Sequence, residues 1–228
     1  MDSAQIIREL NLLADPERAV GMERVGISFS SSLGVSLPDL RKMASRAGMD
    51  HPLALRLWEV DLREARILAG MIDDPSQVTE KQMESWAGDF DNWEICDQSC
   101  NNLFRKTAHA WPRAREWTRR DEEFVKRAGF VLAAVLAVGR REPHEGRFEA
   151  FLPLIVEGSS DGRNYVKKGV DWALRQIGKR SPYLNSRAIE TARDIGRLDS
   201  GSARWIAASS LRELTGEKVQ RRFRGRPV

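Results

Sequence analysis

The chain has 228 residues, 41% hydrophobic and 31% charged, a balance that fits one large or two small globular domains and excludes a disordered chain. No apolar run approaches the roughly 20 residues that span a bilayer, and the start, MDSAQIIREL, lacks the layout of a secretory signal, so cytoplasmic residence is expected. The net charge of +4 hides an asymmetry: residues 1–100 carry 10 basic and 18 acidic side chains, and residues 101–228 carry 27 and 15. A positive second half points to an anionic partner, usually nucleic acid, or else to an Arg-rich solvated surface.

In chain order the pattern reads as helix after helix, with apolar residues at i, i+3, i+4 and i+7 and no strand alternation. Residues 3–14 form the first helix, with Ser3 as N-cap. Residues 37–48 follow, with Pro38 in the first turn and Gly48 as the stop. HPLALRLWEV (51–60) runs into DLREARILAGMI (61–72), capped by Asp61. Thr79 opens a helix over 79–89. Asp91, with Glu94 three residues on, reads as a capping box for 91–104.

The second half continues with a short basic helix at 111–119 and the most apolar one at 122–139. Helices over 146–158, 161–179 (capped by Asp161), 185–197 and 202–216 close the fold. The tail, EKVQRRFRGRPV (217–228), is basic, Gly/Pro-interrupted and expected to be a disordered arm. Such a chain is a bundle or a solenoid. The spacing of helix pairs favours the solenoid, as does the likeness of FVKRAGFVLAAVLAV to NYVKKGVDWALRQIG. The expected fold is therefore an all-α superhelix of HEAT-like repeats, one domain over 1–216, with a concave basic face.

Two cysteines, Cys96 and Cys100, are too few for a disulfide scaffold. They form no zinc motif with His51, His109 or His144, so no metal or cofactor is expected. Trp93 and Asp97, one helical turn apart, raise a sharper question. They read either as a packing anchor and a surface acid, or as an indole and a carboxylate that work together. Trp58, Trp86, Trp111, Trp117 and Trp205 read as core or inter-helix packing.

The segments GMERVGIS, GVSLPDLRKMA, HPLALRLWEVDLREARILAGMI, DFDNWEICDQ, EEFVKRAGFVL and NYVKKGVDWALRQIGK, in this order, resemble the AlkD-like DNA alkylation repair glycosylases over about residues 18 to 215. The resemblance implies a HEAT-like superhelix that binds duplex DNA on its concave side. It also implies release of cationic alkylated purines, N3-alkyladenine and N7-alkylguanine, without base flipping; nothing in the sequence signals an obligate oligomer, so a monomer is expected. The catalytic aspartate of the family's W-x-x-x-D motif falls on Asp97 and its tryptophan on Trp93. A second tryptophan falls on Trp172, and an arginine contacting phosphate near the lesion falls on Arg127; the alternative for Arg127 is an ion pair with Asp97 or another acid. The sequence departs from the family where some members carry a tyrosine before a methionine: here Gly21 precedes Met22. On the helix of Trp172, the cations Lys167, Lys168, Arg175 and Lys179 are expected in part at the concave rim on phosphates, Lys168, Arg175 and Lys179 foremost, or else on a solvated face. The other readings are a helical-repeat DNA-binding protein without turnover and a protein scaffold.

Overall fold

The computed structural model describes residues 1–28, 31–139 and 144–224, and every regular element among them is helical. The chain divides into two compact units, Met1–His109 and Ala110–Val228, where the sequence suggested a single domain. The first unit holds α1 (Ser3–Leu12), α2 (Pro16–Glu23), α3 (Leu37–Ala47), α4 (His51–Trp58), α5 (Arg63–Ile72), α6 (Glu80–Gly88) and α7 (Trp93–Asn102), then a 3-10 turn at Phe104–Lys106. The second holds α8 (Ala110–Trp117), α9 (Glu123–Val138), α10 (Glu145–Glu149), α11 (Leu152–Gly158), α12 (Asn164–Gly178), α13 (Pro182–Gly196), α14 (Gly201–Leu214) and α15 (Glu217–Phe223). Among the described residues no helix is long and apolar enough to cross a membrane.

Local chemistry sets most helix ends. Ser36, Thr79, Ser181 and Ser200 each accept a backbone N–H of the first turn, satisfying donors that have no partner within the helix. Gly48 ends α3 at φ +74°, a conformation that favours glycine. Several expected caps move. Asp2, not Ser3, caps α1. Asn92, not Asp91, caps α7, because its carboxamide oxygen reaches both Glu94 N and Ile95 N at 3.0 Å. Leu62 and Arg163 take the cap positions of α5 and α12 without side-chain bonds. Asp61 and Asp161 are drawn into ion pairs with Arg66 and Arg163. Residues 146–158 divide into α10 and α11, where Pro153 starts the second segment afresh. In the expected disordered arm, 217–223 is instead helical, with Val219 buried; residues 225–228 lie outside the described part.

Contacts across elements recur at about one helix pair's length, shorter in the first unit than in the second. In the first unit Trp58 meets Asp89, and Arg63 meets Glu94, each 31 residues away. Gly70 of α5 lies against Ser99 of α7, so these two helices run parallel. Their partners α4 and α6 pair through Trp58 and Trp86, which stack with centroids 3.9 Å apart and rings 2° from coplanar. In the second unit Arg175 meets Glu213 38 residues on, Ser210 meets Asp171 39 away, and Arg180 meets the Ala137 carbonyl 43 away. Thus α9, α12 and α14 lie side by side and parallel, with α13 packed against α12 and α14. Close approach tightens the second unit: a side-chain carbon on Gly129 of α9 would sit 2.5 Å from Thr118 N. Phe130, Val131, Leu132, Leu174 and Ile177 fill its core.

Parallel rows bring helix N-termini together, and each N-terminus carries partial positive charge. Asp161 answers this in the second unit. Its carboxylate accepts Arg163 N and Nε at 3.0 Å and pairs with Arg163 Nη2 at 2.6 Å and Lys126 Nζ at 3.1 Å. Its carbonyl accepts Ser202 Oγ at 2.7 Å. One residue thereby joins the starts of α9, α12 and α14. The Arg163 hydrogen bonds hold the Asp161 carboxyl far below its ordinary 3.8. A depressed folded-state pKa contributes stability above the unfolded value and loses it as pH falls. Asp161→Asn is therefore expected to cost about 2 kcal/mol at pH 7. The gap to wild type should narrow below about pH 4, measured by urea unfolding at both pH values.

Candidate functional site

The first-unit candidates sit on α7. Its inner face is Glu94, Ile95, Cys96, Ser99 and Cys100, all buried. This leaves Trp93 and Asp97, one turn apart, half-exposed along its edge. Trp93 is not a loose surface ring: its indole Nε1 donates to the Val25 carbonyl at 2.9 Å, which pins α7 to the segment after α2. Nothing local in the sequence signals that bond, which spans 68 residues.

Glu94 shows why α7 is held in place. Arg63 Nε donates to Glu94 Oε2 at 2.7 Å, and Arg63 Nη1 donates to Glu64 Oε1 at 2.8 Å. Glu64 also accepts Ser32 Oγ at 3.0 Å, Leu33 N at 3.1 Å and Val35 N at 3.2 Å. Arg63, Glu64 and Glu94 are all buried. Burial pulls the Arg63 guanidinium toward deprotonation. The Glu94 hydrogen bond and the charges of Glu94 and Glu64 outweigh it and hold it above the ordinary value. The starts of α3, α5 and α7 are thereby tied at one buried charge cluster. Glu94 was expected in a capping box; it serves this cluster instead. Arg63 and Glu64, read from the sequence only as part of an amphipathic helix, are the supporting residues that sequence reasoning missed. An adjacent Arg-Glu pair carries no mark of burial.

The second-unit candidates are arranged differently from expectation. Arg127 does not emerge at a surface: it is buried, and its Nη1 donates to the Tyr165 carbonyl at 2.6 Å. The parallel packing of α9 on α12 brings that carbonyl over it. Arg175 and Lys179 are half-buried and already carry carboxylate partners. Arg175 Nε donates to Asp171 at 2.9 Å, and both Arg175 and Lys179 pair with Glu213 of α14. Burial alone would raise the Glu213 carboxyl, but hydrogen bonds from Lys179 and Arg175 lower it. Trp172 is half-buried. With the Gln176 amide oxygen turned toward its donors, it accepts Trp172 Nε1 at 2.9 Å and Lys179 Nζ at 3.1 Å. Trp172 therefore belongs to the same polar chain as Lys179 and Glu213. Lys168 is exposed, as the solvated-face and rim readings both require.

Of the remaining tryptophans, Trp58, Trp86 and Trp117 are buried. Trp111 packs on Phe148 under Arg147, whose guanidinium lies 4.1 Å from its ring centroid. Trp205 departs from its expected packing role and is 43% exposed. Among the described residues, no three His, Cys, Asp or Glu side chains form a group suited to a metal ion.

Residues 6–213 match the model of a family described as DNA alkylation repair enzyme. The chain belongs to this DNA alkylation repair family. An uncharacterised protein of Listeria innocua is 23% identical over 198 residues, covering 85% of this chain and 86% of that one. An uncharacterised protein of Listeria monocytogenes is 22% identical with the same coverage. Among solved structures, one is similar at a TM-score of 0.78 and 19% identity, covering 91% of this chain and 93% of its own. It represents a family of proteins related to the HEAT-like repeat DNA glycosylases with affinity for branched DNA structures. At that identity the likeness establishes the fold: the alkylation repair chain is built of HEAT-like helical repeats.

Replacing Arg63 by Met would leave Glu64 and Glu94 buried without their cation. Urea unfolding is expected to show a loss of about 3–5 kcal/mol. A change below about 1 kcal/mol, the scale of an exposed pair, would mean the cluster does not hold α7.

Proposed function

We propose that the protein is a DNA glycosylase that hydrolyses the N-glycosidic bond of cationic alkylated purines in duplex DNA. The observation that carries this reading is Asp97, a half-exposed carboxylate one turn from an indole whose N–H is tied down by Val25. Alkylation at N3 or N7 makes the base cationic, so it leaves as a neutral molecule and needs no general acid. The remaining demands are a developing oxocarbenium-like sugar and an attacking water. One carboxylate meets both, by charge and by orienting or deprotonating the water. At 4 Å and an effective dielectric near 20, such an ion–ion interaction is about 4 kcal/mol, or about three powers of ten in rate if confined to the transition state.

The Trp93 ring, held in one orientation, offers a face to the deoxyribose and to the cationic character on it. Family membership and the positive charge of residues 101–228 support duplex DNA as the ligand. The phosphate role proposed for Arg127 would require its buried guanidinium to share itself between Tyr165 and the DNA. For Arg175 and Lys179 it would require breaking pairs with Glu213. Lys168 needs no rearrangement, which makes it the second-unit cation best suited to a phosphate contact.

A second reading, DNA binding without turnover, draws on Gly21 and on the structural relative with affinity for branched DNA. Gly21 lies on α2, and a side-chain carbon placed there would meet nothing within 4 Å. The backbone at this position therefore leaves room for a side chain to begin, as in the family members that carry an aromatic there.

Purified protein is expected to release N7-methylguanine from methylated duplex DNA. Asp97→Asn should slow release about 1,000-fold while duplex affinity stays within about twofold. Equal release by both proteins would remove Asp97 from its role, and duplex binding without release by the wild type would select the second reading. Gly21→Tyr should fold with undiminished stability, gaining about 0.5 kcal/mol of helix propensity, checked by thermal unfolding.

A further inference from the structure

Most cations of α12 and its flanks are committed inside the protein. Arg163 is held by Asp161, Arg175 by Asp171 and Glu213, and Lys179 by Glu213. Lys167 and Lys168 differ, because neither has a carboxylate partner among the described residues. The Lys167 ammonium lies instead 4.9 Å from the ring centroid of Trp205, across the parallel pair α12 and α14. Trp205 is itself 43% exposed, whereas Trp58, Trp86 and Trp117 are buried. Single exposed apolar side chains are ordinary. An open indole beside the Lys167 ammonium, with the exposed Lys168 next along the helix, is a more specific arrangement. Arg204, beside Trp205 in sequence, meets the Leu198 carbonyl at 3.5 Å and Asp199 at 3.3 Å; that carboxylate is fully exposed, so the pair is weak. Arg212, two turns along α14 on the Trp205 face, is exposed.

We infer that Trp205, with Lys167, Lys168 and Arg204, is a stacking platform for an unpaired nucleotide of a DNA strand. Unpaired bases stack on exposed aromatic rings regardless of sequence, and adjoining cations take the flanking phosphates. A base inside an intact duplex offers no free face, so this surface selects frayed, tailed or otherwise opened DNA. The charge argument favours an anion, and the open ring favours one that carries a flat π-face. The inference rests on the reading that the protein binds DNA, and it adds a contact that Asp97 chemistry does not require.

The full chain should be titrated with a fluorescein-labelled duplex bearing a single-stranded oligothymidine tail, and with the same duplex blunt-ended. Wild type is expected to bind the tailed DNA more tightly. Trp205→Ala should weaken tailed-DNA binding about 5- to 150-fold and leave blunt-duplex binding unchanged, while Trp205→Phe retains most of the preference. The double variant Lys167→Gln, Lys168→Gln should flatten the salt dependence of tail binding by about 1.4 in log–log slope. Unchanged tail binding by Trp205→Ala, or no preference for the tail in wild type, would overturn the inference while leaving duplex binding intact. Equal weakening of Trp205→Ala toward polyglutamate would overturn it in favour of an acidic protein partner. Absence of binding to either DNA would instead remove the DNA-binding reading beneath it.

Discussion

Each unit depends on acid placed where parallel helices begin. A parallel row sets like dipole ends side by side, which is unfavourable unless negative charge lies among them. In the first unit Glu64 and Glu94 supply that charge, with Arg63 between them at the starts of α3, α5 and α7. In the second unit Asp161 supplies it at the starts of α9, α12 and α14. The two solutions differ in wetness. The first is sealed from solvent and needs each lone pair matched by a donor. The second sits nearer the surface and pairs with two cations of separate helices. In both cases the charges convert a set of helices that could slide past one another into a fixed register.

That register fixes where α7 holds Asp97, the acid proposed to act on DNA. The inner face of α7 is committed to packing and to Arg63, so its rotation is settled. Trp93 then adds a second tether, to Val25. A carboxylate that is to act on a developing charge gains most from being already oriented, because no reorganisation is then required during reaction. The same logic separates Lys168 and Lys167 from Arg175 and Lys179. Charges that hold helices together are poorly placed to hold a ligand as well.

The helical class was legible in the sequence, because 3.6-residue periodicity and short breakers are local signals. Gly48 and Thr79 behave as their residue types dictate. The cap of α7 was misplaced by one residue because Asp91 and Asn92 are both good caps, and only the fold decides which carbonyl geometry is met. The pair Trp93 and Asp97 could be picked out by spacing and by family resemblance. Arg127, Arg175 and Lys179 were harder, since a cation on an amphipathic helix looks the same whether its partner is a phosphate or a carboxylate 38 residues away. Trp205 was assigned to packing for want of any local sign that its neighbours leave it open. The start of the tail was read as disordered from composition, yet Val219 finds an apolar seat and α15 forms around it.

The two thiols on the site helix have a bearing on the conditions under which a DNA alkylation repair protein works. Electrophiles that methylate purines also attack sulfur, and an accessible thiolate reacts faster than most nucleophiles in a cell. Cys96 and Cys100 flank Asp97 in sequence, yet both side chains are turned wholly inward. The folded helix therefore keeps its own most nucleophilic atoms away from solvent, where an agent that creates damage in DNA would meet them first.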